Sequence, residues 1–266
     1  MQQAARQNPG LNRALLAILL GLRHEGVREW NYTVNLHTPG GMQGSLRHAA
    51  AAYACQYEVW DRCINTSERL PYSDDALRFP TPHRAQVLQH SQTAGLDAAY
   101  IYGLIRQESR FVINARSRVG ASGLMQIRPA TARWTARKMG LKNFSPAQIN
   151  ELDTNLQIGT HYLKLALERF GDALPLAAAA YNAGPTRASQ WRAPEGTASP
   201  ALEAAAWIEN IPFDETRAYV KNVLSNTVDY AALLTGQSQS LIARLPRIAP
   251  PAEPTPEAEA EPPKGD

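Results

Sequence analysis

From Arg84 to about Tyr230, helix start and stop signals follow one another, and the turn-separated alternating runs that strands need are missing. Asp97 predicts an N-cap for a helix running to about Ser109, and Pro129 suits the first turn of a helix that ends near Gly140. Ser145-Pro146-Ala147-Gln148 has the capping-box spacing, with proline at the first helical position. Asp153 reads as the cap of a long helix closed by Gly171. Leu176 to Ala183 is nearly all alanine and leucine, so that helix must be buried on most sides, and Gly184-Pro185 stops it. A last helix is expected from about Glu215 to Tyr230, with Tyr219, Val223 and Tyr230 on one face. Gly123 to Ile127 is the one extended candidate. The expected class is all-α, with at most a small β element.

The flanking regions differ. Met1 to Phe79 predicts helices at Leu11–Arg23, around Leu46–Tyr57 and from Trp60, with a break at Thr38–Gly41. The apolar segment Ala14 to Leu22 is well short of the ~20 residues a bilayer span needs. Arg13 precedes it, but Arg23, His24 and Glu25 follow where a small-residue cleavage site would stand, so no export signal is expected in this chain. After Tyr230 no aromatic residue occurs, and Pro246 to Asp266 is a Pro/Glu/Ala stretch that cannot bury enough apolar area to offset its ordering entropy. The expected division is 1–82 helical, 83–236 the main domain, and 237–266 a disordered tail.

Composition excludes some classes. A net charge of +3, from 27 basic against 24 acidic residues, comes with no dense Lys/Arg stripe interleaved with aromatics, so nucleic acid is not an expected partner. The six histidines form no i, i+4 pair beside a carboxylate, and the two cysteines have no metal spacing. No metal is expected. Cys55 and Cys63 read either as two buried thiols or as a disulfide, the latter only if the chain bends between them.

The candidate chemistry lies on the helix after Asp97. Ile101, Leu104 and Ile105 occupy i, i+3 and i+4 of a buried face, and the i+7 position is Glu108. A glutamate is almost never buried alone. Desolvation penalises its ionised form, raises its pKa and keeps a proton available near neutral pH, as a general acid requires. The competing reading pairs Glu108 with Arg106 or Arg110 at a solvent edge.

Three further stretches surround it in sequence. The loop Val119 to Ile127 has two glycines that let a backbone approach a ligand, and Gln126 can both donate and accept hydrogen bonds, as sugar hydroxyls and acetamides demand. Tyr181 and Asn182 stand where the alanine-rich helix ends; capping alone would also explain them. Asp214 and Glu215 open the last helix, where the macrodipole alone would accommodate two carboxylates.

Together these stretches resemble the soluble lytic murein transglycosylases, whose catalytic fold is goose-type lysozyme-like. The residues carrying the resemblance are Ile105-Arg106-Gln107-Glu108-Ser109, Gly120 to Ile127, Ala180 to Pro185, Trp207 to Phe213, Glu215-Thr216-Arg217 and Tyr219 to Val223. The resemblance implies that Glu108 protonates the glycosidic oxygen between N-acetylmuramic acid and N-acetylglucosamine, the substrate's acetamido group assisting in place of a second carboxylate. Glu108 would then take a proton from the muramoyl 6-hydroxyl, giving a 1,6-anhydro product. It also implies substrate contacts for Ser109, Ser117, Met125, Gln126, Tyr181, Asn182 and Glu215. Arg128 departs from the methionine usual before proline in the family and would place a cation facing lactyl or peptide carboxylates. No cofactor is implied. Residues 1–82 are similar to the helical linker that precedes this domain in larger members. The resemblance further implies peptidoglycan strands as partner, the periplasm as location, where a Cys55–Cys63 disulfide is permitted, and cell-wall synthases or secretion machinery as further partners to test. Two rivals stand beside it: a muramidase that hydrolyses the same bond, with Asp214 or Glu215 positioning water, and a silent peptidoglycan-binding protein.

Overall fold

A computed structural model describes residues 2–192 and 202–248. The described residues form two compact units, one from those up to 82 with 110–112, the other from 83–109 and those after 112.

In the first unit the helices are α1 (Gln2–Arg6), α2 (Pro9–Leu19), α3 (Arg23–Asn35), α4 (Gly44–Gln56), α5 (Trp60–Ser67) and α6 (Asp75–Arg78). α3 leaves little trace in the sequence pattern because its mean hydropathy is low and its buried positions include glycine and threonine beside Trp30 and Val34. α2 packs on α3, and α4 on α5. Cys55 and Cys63 are joined by a disulfide with Cα atoms 5.1 Å apart. The alternative of two free thiols is thereby overturned: Glu58, with φ 58°, turns the chain between α4 and α5 and brings the two cysteines together.

The second unit contains α7 (Arg84–Ala94), α8 (Ala98–Glu108), α9 (Pro129–Lys138), α10 (Leu152–Arg169), α11 (Leu174–Ala183), α12 (Pro185–Arg192), α13 (Ala204–Glu209) and α14 (Asp214–Thr235). α8 is its buried axis. Asp97 Oδ1 accepts from Ala99 N at 2.8 Å and starts the helix; Ala99 through Arg106 are all buried. α8 lies most extensively along α14. Gly103 permits this approach, since a Cβ there would stand 2.7 Å from Thr227 Oγ1 and 2.9 Å from Val223 O. Tyr102 stacks on Tyr230 with ring centroids 5.0 Å apart, and Arg106 donates from Nη1 to Asn226 Oδ1 at 2.9 Å.

Three expectations need correction. Asp153 does not cap the long helix: Glu151 holds that position, and Asp153 sits in the first turn, where Oδ1 pairs with His90 Nε2 at 2.8 Å. Gly123 to Ile127 makes only isolated bridges, Arg116 with Ser122 and Ser122 with Ile127. The strand pair among the described residues lies elsewhere: β1 (Leu202–Glu203) runs antiparallel to β2 (Arg247–Ile248). The expected tail over 237–266 is therefore structured as far as 248. Arg244 Nη1 reaches Asp97 Oδ2 at 2.7 Å, and Ile248 is 2% exposed, so a short basic and apolar segment is anchored although its composition is poor. Residues 249–266 lie outside the described residues.

Candidate active site

Glu108 is the last residue of α8, one turn beyond Leu104 and Ile105, which are both fully buried. The apolar stripe that folds the helix thus delivers a carboxyl into the unit's interior. Tyr219, from α14, donates its hydroxyl to Glu108 Oε1 at 2.6 Å. The Glu108 pKa is raised to about 7: burial is the largest cause, the Tyr219 hydrogen bond opposes it, and the charge of Glu215 adds to it. Part of the residue surface stays accessible, as a proton donor requires. The alternative pairing with a neighbouring arginine is not what forms. Arg106 is turned to Asn226 and Arg110 to Glu68.

The loop is a stiff platform. Ser122 N donates to Ile127 O at 3.1 Å and Ile127 N to Ser122 O at 3.0 Å, while Gly123 N donates to Ala115 O at 3.0 Å. Asn155, buried on α10, accepts from Met125 N at 2.8 Å and donates from Nδ2 to Ser122 O at 3.1 Å and Ile149 O at 2.8 Å. Gly123 is required there, because its φ is +81° and a Cβ would stand 2.0 Å from Asn155 Nδ2. Nothing in the local pattern of α10 separates Asn155 from an ordinary surface asparagine.

The residues expected to contact substrate occupy different environments. Gln126, with φ 47°, donates Nε2 to Ala115 O at 3.0 Å and Gly123 O at 2.8 Å, so its amide nitrogen is committed to the loop. Met125 is a correction: its side chain is 0% exposed and cannot touch a ligand, whereas its carbonyl accepts the Tyr181 hydroxyl at 2.8 Å. Tyr181 is close enough to Glu108 for that charge, after burial, to push its pKa well above the ordinary value. Asn182 Oδ1 accepts from Thr216 Oγ1 at 2.7 Å, tying α11 to α14. Ser117 Oγ accepts from Ala121 N at 3.0 Å and shapes the loop; Ser109 Oγ donates to Ile105 O at 3.3 Å and closes α8. Glu215 is exposed on α14, one turn before Tyr219. Asp214 pairs with Arg217. Arg128 is half-buried at the N-cap of α9.

Tyr219 was given no site role in the sequence, where it counted as one position of an apolar face and as part of a stretch that carries the resemblance; the structure sets it against Glu108. The available signal was its hydroxyl, which a buried tyrosine must satisfy.

A buried carboxyl with its pKa raised to about 7, a tyrosine that holds it and a second carboxylate acting on it form an arrangement suited to acid–base chemistry at the end of a buried helix. That chemistry, on an all-helical unit, is the class that the fold and site define. Comparison with known proteins gives the family. Residues 86–203 match the model of the transglycosylase SLT domain, and residues 210–239 match that of the soluble lytic transglycosylase helical domain. The chain is 32% identical over 245 residues to the soluble lytic murein transglycosylase of Salmonella typhimurium, covering 91% of this chain and 37% of that protein. Among solved structures, it is similar to the lytic transglycosylase Slt of Pseudomonas aeruginosa, in an inactive mutant form, with a TM-score of 0.79, 36% identity, and coverage of 90% of this chain and 38% of the other. The 70 kDa soluble lytic transglycosylase of Escherichia coli gives 0.78 at 30% identity, covering 92% and 39%. The chain belongs to the soluble lytic murein transglycosylase family. It spans 37–39% of the length of these relatives.

Proposed function

We propose that the chain cleaves the β-1,4 bond between N-acetylmuramic acid and N-acetylglucosamine in peptidoglycan without water, leaving 1,6-anhydromuramoyl ends. The observation that carries this is the buried Glu108 carboxyl, held by Tyr219 and poised at about 7. Near neutral pH such a group is present in both forms, which suits one residue acting first as acid and then as base. Glu108 donates its proton to the glycosidic oxygen as the bond to the anomeric carbon breaks. The substrate acetamido oxygen supports the developing positive charge at that carbon. The ionised carboxylate then removes the proton of the muramoyl 6-hydroxyl as its oxygen bonds the anomeric carbon, returning Glu108 to its starting form. Tyr219 keeps the carboxyl aimed. Tyr181, braced on the Met125 carbonyl, stands beside it as the substrate-facing hydroxyl, with Gln126, Asn182, Ser109, Ser117 and Arg128 shaping the groove.

This reading treats 83–236 as the catalytic domain and 1–82 as a helical linker, and takes the periplasm as the place of action. Digestion of sacculi by wild type and Glu108→Gln, with product masses, tests it. Anhydro ends from wild type and none from the variant are expected; equal release from both would sink it. Glu215 supports a second reading, because its charge acts on Glu108 and it is exposed enough to position water. Products ending in reducing muramic acid would favour that hydrolytic route.

A further inference from the structure

The first unit, the helical unit of residues up to 82 with 110–112, contains a cavity of about 610 Å³ that the chemistry around Glu108 does not use. It is lined by three guanidinium groups, Arg62, Arg69 and Arg110, against one carboxylate, Glu68. Each guanidinium is fixed by at least one hydrogen bond to an oxygen in or beside the wall. Arg62 donates from Nη1 to Asn31 Oδ1 at 2.6 Å and from Nε to Asp61 Oδ2 at 3.1 Å. Arg69 Nη1 donates to Asn35 Oδ1 at 2.7 Å, and Arg110 Nη1 to Glu68 Oε2 at 2.8 Å. A guanidinium fixed by such bonds is oriented in advance and keeps donors for a carboxylate. Arg62 is only 7% exposed. Burial above all disfavours its charge, Asp61 supports it, and Arg23 and Arg110 repel it. An anion in the cavity would relieve that repulsion.

Two further observations point to a ligand. Asn65 Oδ1, in the cavity wall, is buried without a hydrogen-bond partner, a condition folded proteins rarely tolerate. Arg110 and Phe111 both have positive φ, 48° and 65°, which is unfavourable for side chains of their size. This strained pair follows Glu108 by two and three residues in the chain. It seats Arg110 in the cavity wall and buries Phe111 to 3% exposure. Backbone strain kept beside a lined cavity is a mark of a positioned group.

We propose that this cavity binds the peptide portion of a peptidoglycan strand through its free carboxylates, an inference that rests on the substrate assigned above. A peptide fits both kinds of wall group. Its carboxylates meet the three guanidiniums, and its amide N–H groups can donate to Asn65 Oδ1 and Glu68. An inorganic anion offers nothing to those acceptors. The volume lies within the range usual for small-ligand pockets.

The test is calorimetric titration of the 266-residue chain with a stem tripeptide bearing free carboxylates, with its fully amidated form, and with inorganic phosphate. The free acid is expected to bind at least ~10-fold more tightly than the amide or phosphate, since each lost charged contact is worth about a factor of ten. Arg69→Gln, at an exposed position, is expected to weaken the acid ~10-fold. Arg62→Gln provides a second variant, read only if its circular dichroism is native. Arg13→Gln, which removes a surface charge of the same unit outside the cavity, should leave binding unchanged. Equal binding of acid and amide, phosphate binding as tightly as the acid, or an equal effect of Arg13→Gln and Arg69→Gln would each overturn the proposal. Cleavage of peptide-free glycan strands is measured separately. Cleavage without tripeptide binding would overturn the cavity proposal alone. Tripeptide binding without any glycan cleavage would overturn the enzyme reading and keep the cavity.

Discussion

The two units bury charge in opposite ways. At the end of α8 a carboxyl is desolvated and answers by holding its proton, so Glu108 sits at about 7. In the helical unit Arg62 is also buried, but a guanidinium cannot discharge in the accessible pH range. It is therefore matched instead, by Asp61 and Asn31, while Arg23 Nη2 also reaches Asp61 Oδ2 at 2.6 Å. A buried acid becomes a proton donor near neutrality. A buried guanidinium becomes a fixed positive contact. The first arrangement suits chemistry and the second suits recognition.

Removing the titrating group is the strongest way to break this contrast. Glu108→Gln should lower turnover on sacculi by about 10²–10⁴-fold, the usual worth of a general acid, with the fold intact by circular dichroism. The same variant has a stability signature. Because the folded pKa of about 7 lies above the ordinary 4.5, the folded form binds the extra proton between those values. Stability should therefore fall as pH rises from 4.5 to 7, by about 3 kcal/mol in all, and Gln should flatten that slope. Melting temperatures across pH 5 to 8 are the check (roughly the window of that slope). A wild-type curve as flat as the variant's would remove the raised pKa and the contrast with it.

Removing the fixed cation probes the other side. Arg62→Gln leaves Asp61 with less compensation in a buried setting and should cost about 3 kcal/mol, read by denaturant unfolding. Replacing Cys55 and Cys63 by alanine frees an eight-residue separation and should cost about 2.5 kcal/mol. That loss should appear in the unfolding of the helical unit and leave the pH dependence of turnover in place. A moved pH limb would show that the units do not keep these tasks apart.

The smallest effects sharpen the assignment of the acid. In the proposed reaction the protonated form acts first, so kcat/KM should decline as pH rises through about 7. Tyr219→Phe removes the hydrogen bond that favours the ionised form and should move that limb upward by about one pH unit or less. Glu215→Gln removes a charge that disfavours the ionised form and should move it downward. Opposite shifts in the two pH–rate profiles are expected; shifts in the same direction would break the assignment.

Much of this was legible along the chain, for local reasons. Asp97, Pro129 and the Ser145–Gln148 box mark helix starts through chemistry confined to one turn, and the structure carries all three, the last on a 3₁₀ turn. Ile101, Leu104, Ile105 and Glu108 share a face because helical periodicity is a property of the helix alone. The hydrogen bond from Tyr219 could not be read, since 111 residues separate it from Glu108 and its spacing fits an ordinary core stripe. Met125 looked like a ligand contact because it lies in a glycine-rich loop; only packing decides that its side chain faces inward. The anchoring of 237–248 escaped for the same reason, as Arg244 and Ile248 find partners 147 and 46 residues away along the chain.

The amino-acid sequence by itself determined the helices, their caps and the apolar stripe that ends in a carboxyl. Those follow from φ/ψ preference, capping and a period of 3.6, all local quantities. What the carboxyl does was decided by tertiary structure. Its pKa depends on how deeply the packed helices bury it and on the hydroxyl of Tyr219 and the charge of Glu215 that α14 brings to it. Desolvation and Coulomb interactions act through space, between residues that the chain order keeps far apart.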